Sequence, residues 1–454
     1  MKIIVAGAGA GKTTSMAEEV TERYRQLTDN KIIYVITYTN AAKDHIKNKL
    51  TEELGTIPSN IKVETSHAFL LHELIIPFHR LLYNVHFSSV SLINLPTEPI
   101  YKAKKLKELQ NQNIIHVDEV TKIAKYVLCG KSNDKIKIKQ MREKIINIFR
   151  NYLDSIFMDE AQDMDEHLSQ LVQKLDSAGF YLHLVGDPKQ DLRGYQQFRS
   201  LITSHESSVE YLNQNRRCPD AHIILANLYT NEKERQQLSS QNKGVLNLVF
   251  ESATDLDALL NDPKWDYKYI SKKQACYYTG TSINEKPLEL LSYELKLLVK
   301  RSSFKKYSLE QTVYILADWI IKKLSLLDNV TIINGISHSL ALNLTKSEKG
   351  HLDVAIELNR LETKLEGFLV HSIDKVKGLE GERCLFILTT DLADYLFKIK
   401  TNQNKMMNYL YVALTRATNE LTILITENVE NQYTEAIKEW QTNCLSLCNE
   451  IDRI

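Results

Sequence analysis

The sequence predicts an α/β protein built from two parallel-sheet domains, each interrupted by a mostly helical accessory insertion. Three observations predict it. Short β-branched and aromatic runs alternate with amphipathic stretches through the 454 residues, the pattern of strands joined by helical crossovers. The strand-like runs fall into two sets, with helical stretches of a different composition inside each. Polar residues follow the runs of the first set closely, at what would be the carboxyl edge of a parallel sheet, where ligands bind in such folds.

The first set comprises Lys2–Ala6, Ile32–Thr37, Ile61–Thr65, Ser155–Asp159 and Tyr181–Gly186. The second comprises Val245–Phe250, Gly367–His371, Cys384–Thr389 and Leu421–Ile425. Residues 76–144 are helical, basic and irregular, and interrupt the first set; residues 286–364 form another helical block, with Lys300, Arg301, Lys305 and Lys306 clustered. The expected division is a first domain of residues 1–75 and 145–217 around the insertion 76–144. A second domain of residues 218–285 and 365–454 surrounds the insertion 286–364. Asn431–Ile454 reads as a terminal amphipathic helix. No low-complexity linker or short repeat divides the chain, which favours a compact multidomain body.

Composition is that of an ordinary globular protein, 43% hydrophobic and 25% charged. Lys plus Arg balances Asp plus Glu at 57 each, so net charge is silent about nucleic acid and only local charge can speak. Residues 101–150 hold thirteen Lys/Arg against five Asp/Glu. That surplus reads equally as a nucleic-acid patch and as a solvated Lys-rich helical surface. Six cysteines, Cys129, Cys218, Cys276, Cys384, Cys444 and Cys448, show no Cys-x-x-Cys pairing, and reduced buried thiols are the simplest account. The short apolar start ends in Lys12 and does not read as a secretory signal. No apolar run approaches the roughly 20 residues of a membrane span. A cytoplasmic protein without a membrane partner is expected.

Four strings carry the chemistry. The first, Ala6–Thr13 (AGAGAGKT), follows the run Ile3-Ile4-Val5 and precedes an expected helix, Thr14–Arg25. Gly7, Gly9 and Gly11 permit a tight turn in which consecutive N–H groups converge on phosphate oxygens. The following helix adds the positive end of its dipole. Ala8, Gly9, Ala10, Gly11, Lys12, Thr13 and Thr14 are therefore the candidate phosphate ligands, with Lys12 reaching the β- and γ-phosphates and the Thr13 hydroxyl reaching Mg²⁺. In the second string, Asp159–Asp163 (DEAQD), two acids stand together at a strand end. Such a pair calls for a cation; Asp159 would hold Mg²⁺ and Glu160 would polarise water, the alternative being a helix N-cap. The third, Gly186–Gln190 (GDPKQ), places the uncharged Gln190 where it could sense a γ-phosphate and position water. The fourth is Val412–Ala417 (VALTRA).

Taken with further segments, the chain resembles the UvrD/Rep-like DNA helicases of superfamily 1. Besides the four strings, Ile36–Ala42 (ITYTNAA), Thr65–Phe69 (TSHAF), Asn215–Cys218 (NRRC) and Ser372–Glu380 (SIDKVKGLE) are similar to that family's motifs and follow its order. The resemblance implies two RecA-like P-loop domains with ATP and Mg²⁺ between them, and single-stranded DNA carried 3′ to 5′ across both. It implies that Arg217 and Arg416 act on the γ-phosphate as arginine fingers, and that Glu380 belongs to the nucleotide site. It also implies that Thr39, Asn40, Thr65, His67 and Phe69 contact DNA. The competing reading of the last pair makes Phe69 a core aromatic and His67 a helix cap.

The chain departs from the family at Arg193 and Gln196, where Tyr and Arg are usual, at Asp374, where His is common, and at Lys405–Asn408 (KMMN), which replaces an acidic–arginine cluster. It opens directly on the first strand, without the preceding segment whose Gln reads adenine, so a preference for ATP rests on the resemblance alone. Most departures lie on the DNA-facing or domain-coupling side. The small size, the compact insertions and Leu70–Leu82 (LLHELIIPFHRLL) resemble the helicase-like subunits of Gabija-type antiviral systems, which implies a nuclease subunit as partner. Two functions follow: an ATP-dependent helicase or translocase on single-stranded or partly duplex DNA, or a nucleotide- and DNA-sensing regulatory subunit of a nuclease complex.

Overall fold

In the computed structural model, residues 1–454 are described except 97, 239–241, 273, 275, 280–286, 303–306, 325, 363–366 and 446–454. Lys305, Lys306, Cys448 and the end of the expected terminal helix lie outside the described residues. The chain divides into two compact units. The first comprises Met1–Asn247, Asp394–Leu421 and the described part of Thr434–Ile454; the second comprises Leu248–Ala393 and Thr422–Tyr433.

The first unit is built on β1 (Lys2–Ala6), β2 (Ile32–Thr37), β3 (Ile61–Thr65), β4 (Ser89–Ser91), β5 (Ile114–His116), β6 (Leu153–Met158), β7 (Tyr181–Gly186) and β8 (Val209–Leu212). Six of these form one sheet in the order β3-β2-β6-β7-β1-β8, and every pairing in it is parallel. The period-two alternation of a strand buried on both faces explains the composition. Ile3, Val5, Tyr34 and Ile36 point into one core, and Ile4, Ala6, Ile33 and Val35 into another. The second core is closed by Met16, Ala17 and Val20 of the helix Lys12–Gln26 and by Ile46 and Leu50 of the helix Asn40–Leu54.

The stretch 76–144 carries helices Pro99–Asn111, Val120–Leu128 and most of Ile136–Tyr152, with a two-stranded parallel ribbon of β4 and β5 that the sequence pattern did not predict. Its Leu82, Phe87, Ile115, Val120 and Val127 share one continuous core with Ile3 and Val5 of the sheet.

The second unit holds most of a sheet of β9 (Val245–Phe250), β10 (Tyr267–Ile270), β11 (Tyr277–Thr279), β12 (Phe368–Ser372), β13 (Gly381–Leu388) and β14 (Ala417–Ile425), in the order β11-β12-β10-β13-β14-β9. The pairs β10–β12, β10–β13 and β11–β12 are parallel. Helices Pro287–Arg301, Leu309–Lys323, Asn329–Ser339 and Lys346–Glu362 close a core of their own around Leu291, Leu295, Ile320, Ile336 and Ile356. The α/β class with two parallel-sheet layers is the one expected from sequence.

Three further strands, β8, β10 and β11, were not expected. They are three or four residues long, and the sheet rather than a hydrophobic run defines them. The compact units also divide the chain elsewhere than the sequence boundaries do. Residues 218–247 and 394–421, assigned from sequence to the second domain, group with the first compact unit. The reason is visible in helix Lys405–Leu414, whose residues Met407 to Leu414 are all buried and whose Asn408 donates to the Asp191 carbonyl at 3.0 Å.

Candidate active site

The phosphate loop leaves β1 and enters helix Lys12–Gln26. Gly9 and Gly11 take φ of 71° and 78°, left-handed values that glycine reaches without steric cost. A Cβ on Gly9 would lie 2.4 Å from Cβ of Arg217 and 2.6 Å from Oδ1 of Asn215, so the segment bearing Arg217 rests directly on the loop. The Arg216 N–H also donates to the Gly9 carbonyl at 2.9 Å. No side chain caps the helix that begins at Lys12; its first N–H groups keep the partial positive charge that draws phosphate oxygens. The Lys12 ammonium folds back onto the carbonyls of Ala6 and Gly7 at 3.4 and 3.3 Å.

The acid pair follows β6, two strands from β1 with β7 between them. Asp159 is 3% exposed. Its N–H donates to the Ile36 carbonyl at 2.8 Å, and its carboxylate accepts from the Glu160 N–H at 2.9 Å. Burial first, and then the neighbouring Glu160 carboxylate, push the Asp159 carboxyl well above the usual range, with Lys12 opposing. Glu160 sits at φ 54°, a left-handed conformation that a non-glycine residue holds only when its surroundings enforce it. One enforcing contact is Gln162, whose Nε2 donates to Oε2 of Glu160 and whose Oε1 accepts from the Asp187 N–H at 2.9 Å.

Gln162 thus ties DEAQD to GDPKQ. Within the latter, Asp187 is fully buried. Burial alone would raise its carboxyl, but the charges of Lys189 and Lys12 and the hydrogen bonds from Lys189 hold it below the usual range. Lys189 Nζ lies 3.0 Å from Asp187 Oδ1, and Gln190 Nε2 donates to Asp187 Oδ2 at 3.2 Å. The amide of Gln190 therefore has a fixed orientation before any ligand arrives.

The two arginines arrive on adjoining segments. Asn215 shapes the first: its Oδ1 accepts from the N–H groups of Arg217 and Cys218 at 3.2 and 3.1 Å, and its Nδ2 donates to the Cys218 carbonyl at 2.6 Å. Cys218 Sγ then donates to the Thr415 carbonyl at 3.6 Å, next to Arg416. Arg416 is 1% exposed, and its guanidinium donates to the Val412 carbonyl and to Thr415 Oγ1 at 2.9 and 3.0 Å.

The candidate DNA-contact residues lie at the ends of neighbouring strands, since Thr37 of β2 pairs in register with Thr65 of β3. Thr39, Asn40, Thr65 and His67 therefore gather at one end of one sheet edge. Thr39 and Asn40 are exposed, and Thr65 and His67 half-buried. Thr39 and Thr65 each cap the helix that follows, accepting from the N–H groups of Ala42 and Ala68 at 3.1 and 3.3 Å. Phe69 does not join them. It is 3% exposed and packs edge-on against Tyr34 at 4.9 Å between centroids. Its helix turns the ring into the core beneath the sheet, so the expectation of a stacking platform there gives way to a core aromatic. Glu380 is exposed and belongs to the second unit.

The sequence reading missed Gln162, Asp187, Asn215, Gln236 and Tyr411. The first three lie inside the quoted strings or beside Arg217, and Tyr411 directly precedes VALTRA; Gln236 carries no local signal.

These residues fit a magnesium nucleoside triphosphate. The uncapped helix start and the left-handed glycines suit phosphate, and the buried Asp159, whose carboxyl is raised by burial and by Glu160 beside it, suits a cation. Among the described residues, no group of three or more His, Cys, Asp or Glu is placed to hold a metal by itself. Asp159 and the Thr13 hydroxyl would supply the protein's share, as Mg²⁺ sites shared with substrate phosphates do.

The fold and this site are those of a P-loop protein, and residues 1–195 match the family model described as an AAA domain. Over 96% of its length the chain is 24% identical to the Gabija protein GajB of Bacillus cereus (strain VD045), of which the match covers 95%. Among solved structures it is similar to the arterivirus nonstructural protein 10 helicase in complex with DNA, at 10% identity and a TM-score of 0.36, over 95% of this chain. The match spans 62% of that helicase's length. Among the described residues, no helix is long and apolar enough to cross a membrane.

Proposed function

We propose that this helicase-like protein hydrolyses ATP at the phosphate loop of its first unit and couples hydrolysis to movement on, or opening of, single-stranded or partly duplex DNA, in antiviral defence or DNA repair. The observation that carries the reading is the chain Glu160–Gln162–Asp187–Gln190, which links the acid pair to the γ-phosphate sensor through direct hydrogen bonds within one unit. Bound Mg²⁺–ATP supplies an electrophilic γ-phosphorus and a leaving diphosphate. The protein does the rest by positioning and charge. Lys12 and the loop N–H groups hold phosphate oxygens, and Thr13 and Asp159 hold the metal. Glu160 takes the proton from water while Gln190 orients that water. Arg217 and Arg416 stabilise the charge that develops on the transferring group. Movement 3′ to 5′ follows from likeness to the helicase family.

A second reading, a nucleotide- and DNA-sensing subunit acting through a nuclease partner, is favoured by the burial of Phe69 and by the loop of Arg193 and Gln196. The Asp191 carboxylate holds that loop through the N–H groups of Gly194, Tyr195 and Gln196. ATP turnover by the isolated chain, with and without a short single strand, and strand displacement on a tailed duplex test both. DNA-stimulated turnover with displacement supports the first reading. Slow turnover without displacement supports the second. No turnover under any condition overturns the hydrolase itself.

A further inference from the structure

We infer that Tyr411 and Gln236 are positioning residues that hold the phosphate loop in its binding conformation through a closed ring of hydrogen bonds around the backbone of one residue, Ala8. The ring has three links. The Ala8 N–H donates to the Tyr411 hydroxyl at 3.2 Å; that hydroxyl donates to Gln236 Oε1 at 3.3 Å; and Gln236 Nε2 donates to the Ala8 carbonyl at 2.6 Å. Both side chains are buried, so no water competes for these groups, and each link orients the next.

Three further contacts show that the ring is built rather than incidental. A Cβ on Gly7 would lie 2.6 Å from Cδ and Nε2 of Gln236, so the amide can lie against the loop only because residue 7 is glycine. Gln236 is itself fixed by Asn227, which accepts from its N–H at 2.9 Å and donates to its carbonyl at 2.8 Å. The Lys189 ammonium stands 5.0 Å from the Tyr411 ring centroid while paired with Asp187.

The consequence is specific. The peptide planes on either side of the Ala8 Cα are each held, one by its N–H and the other by its carbonyl, so the N–H groups that follow, at Gly9 to Thr13, keep the orientation that phosphate requires. Tyr411 also lies five residues before Arg416 on the same segment, so the contact that shapes the loop helps place that arginine. The inference rests on the proposed nucleotide chemistry and goes beyond it by assigning a role to residues that touch neither nucleotide nor metal.

The test uses the full chain and a fluorescent ATP analogue, with wild type and Lys12→Ala measured first. Tyr411→Phe keeps the ring and removes the hydroxyl; Gln236→Leu removes the amide from a different element. Each is expected to weaken analogue binding about tenfold, to raise KM in parallel, and to leave kcat within about threefold, the split expected when a binding conformation loses population. The double variant should be no weaker than either single, because a ring broken once is broken. Melting temperatures near wild type keep the effect from being one of folding. Unchanged affinity in both singles, or additive losses in the double, overturns the clamp while leaving the hydrolase reading intact. Failure of the wild type to bind the analogue overturns both.

Discussion

The carboxyl edge of the first sheet carries two clusters that differ in how they are held. Behind β1, β6 and β7, the phosphate loop, the acid pair and GDPKQ are largely buried and joined to one another: Gln162 reaches both Glu160 and Asp187, and Arg217 rests on Gly9. Behind β2 and β3, Thr39, Asn40, Thr65 and His67 are exposed or half-buried, and the two threonine hydroxyls accept from the helices they cap. The same sheet thus supports a pre-organised site and an adaptable surface. The first suits chemistry that tolerates little misplacement. The second suits a ligand that must be gripped and released without regard to sequence.

The largest effects should come from the organised edge. Glu160→Gln is expected to reduce ATP turnover by about 10²–10⁴, the scale of a lost general base, while nucleotide stays bound. Lys12→Ala should abolish turnover and weaken binding as well, because the lysine contributes to ground-state affinity. A filter-binding measurement beside a phosphate-release assay separates the two. Near-normal turnover in either variant removes the assignment.

Next come the arginines. Arg217→Ala should cut turnover by roughly 10³ with nucleotide affinity kept within a few-fold. Arg416 needs more care, since it is nearly fully buried and Arg416→Ala leaves a void as well as removing a charge. Arg416→Lys retains the charge and should still lose most activity, because an ammonium cannot reproduce the guanidinium fork. Full activity in a folded Arg416→Lys protein would show that the residue holds the helix and does not serve the phosphate.

Gln162→Ala tests the link between the strings. It frees Glu160 from one restraint on its left-handed backbone and leaves the buried Asp187 N–H without its acceptor, at a cost of about 1–3 kcal/mol in stability. Turnover should fall roughly 10- to 100-fold as Glu160 and Gln190 lose their common frame. A variant that unfolds at a lower temperature yet turns over normally would limit Gln162 to a structural part.

What the sequence made legible follows the same division. Lys12, Asp159 and Gln190 could be singled out because each follows a strand end, and strand ends are visible as apolar runs; Arg217 was singled out only by the likeness of its segment to the helicase motifs. Gln162 and Tyr411 sat in view within or beside the strings, but their role depends on partners at sequence distances of 25 and 403 residues, which spacing does not show. Phe69 was ambiguous for a physical reason: an aromatic one turn past a strand end points to ligand or to core according to how its short helix rotates, and the apolar run Leu70–Leu71 that follows draws that face inward. The separation of 76–144 from the sheet was overstated, because a basic surface conceals the buried Val120, Ala124 and Val127 on the inner side of one helix.

The smallest effects belong to the adaptable edge, and they discriminate best between the two clusters. Phe69→Ala should destabilise the fold by about 3–5 kcal/mol, as core aromatic truncations do, with any change in DNA affinity tracking the unfolded fraction. Asn40→Ala and His67→Ala should instead weaken binding of a short single strand by roughly two- to tenfold each, the worth of one exposed hydrogen bond, and leave DNA-free ATP turnover at the wild-type rate. His67 adds a pH signature. Burial holds its pKa below the ordinary 6.5, against the nearby Asp165 and Asp118, so the ring is neutral at pH 7 and gains charge only as pH falls past that value. If it faces DNA phosphate, affinity is flat from pH 8 to 7 and tightens as pH falls through this lowered pKa, and His67→Ala removes the tightening. An unaltered acid-side profile in His67→Ala would return His67 to the helix start it occupies and leave Thr39 and Asn40 to carry that edge.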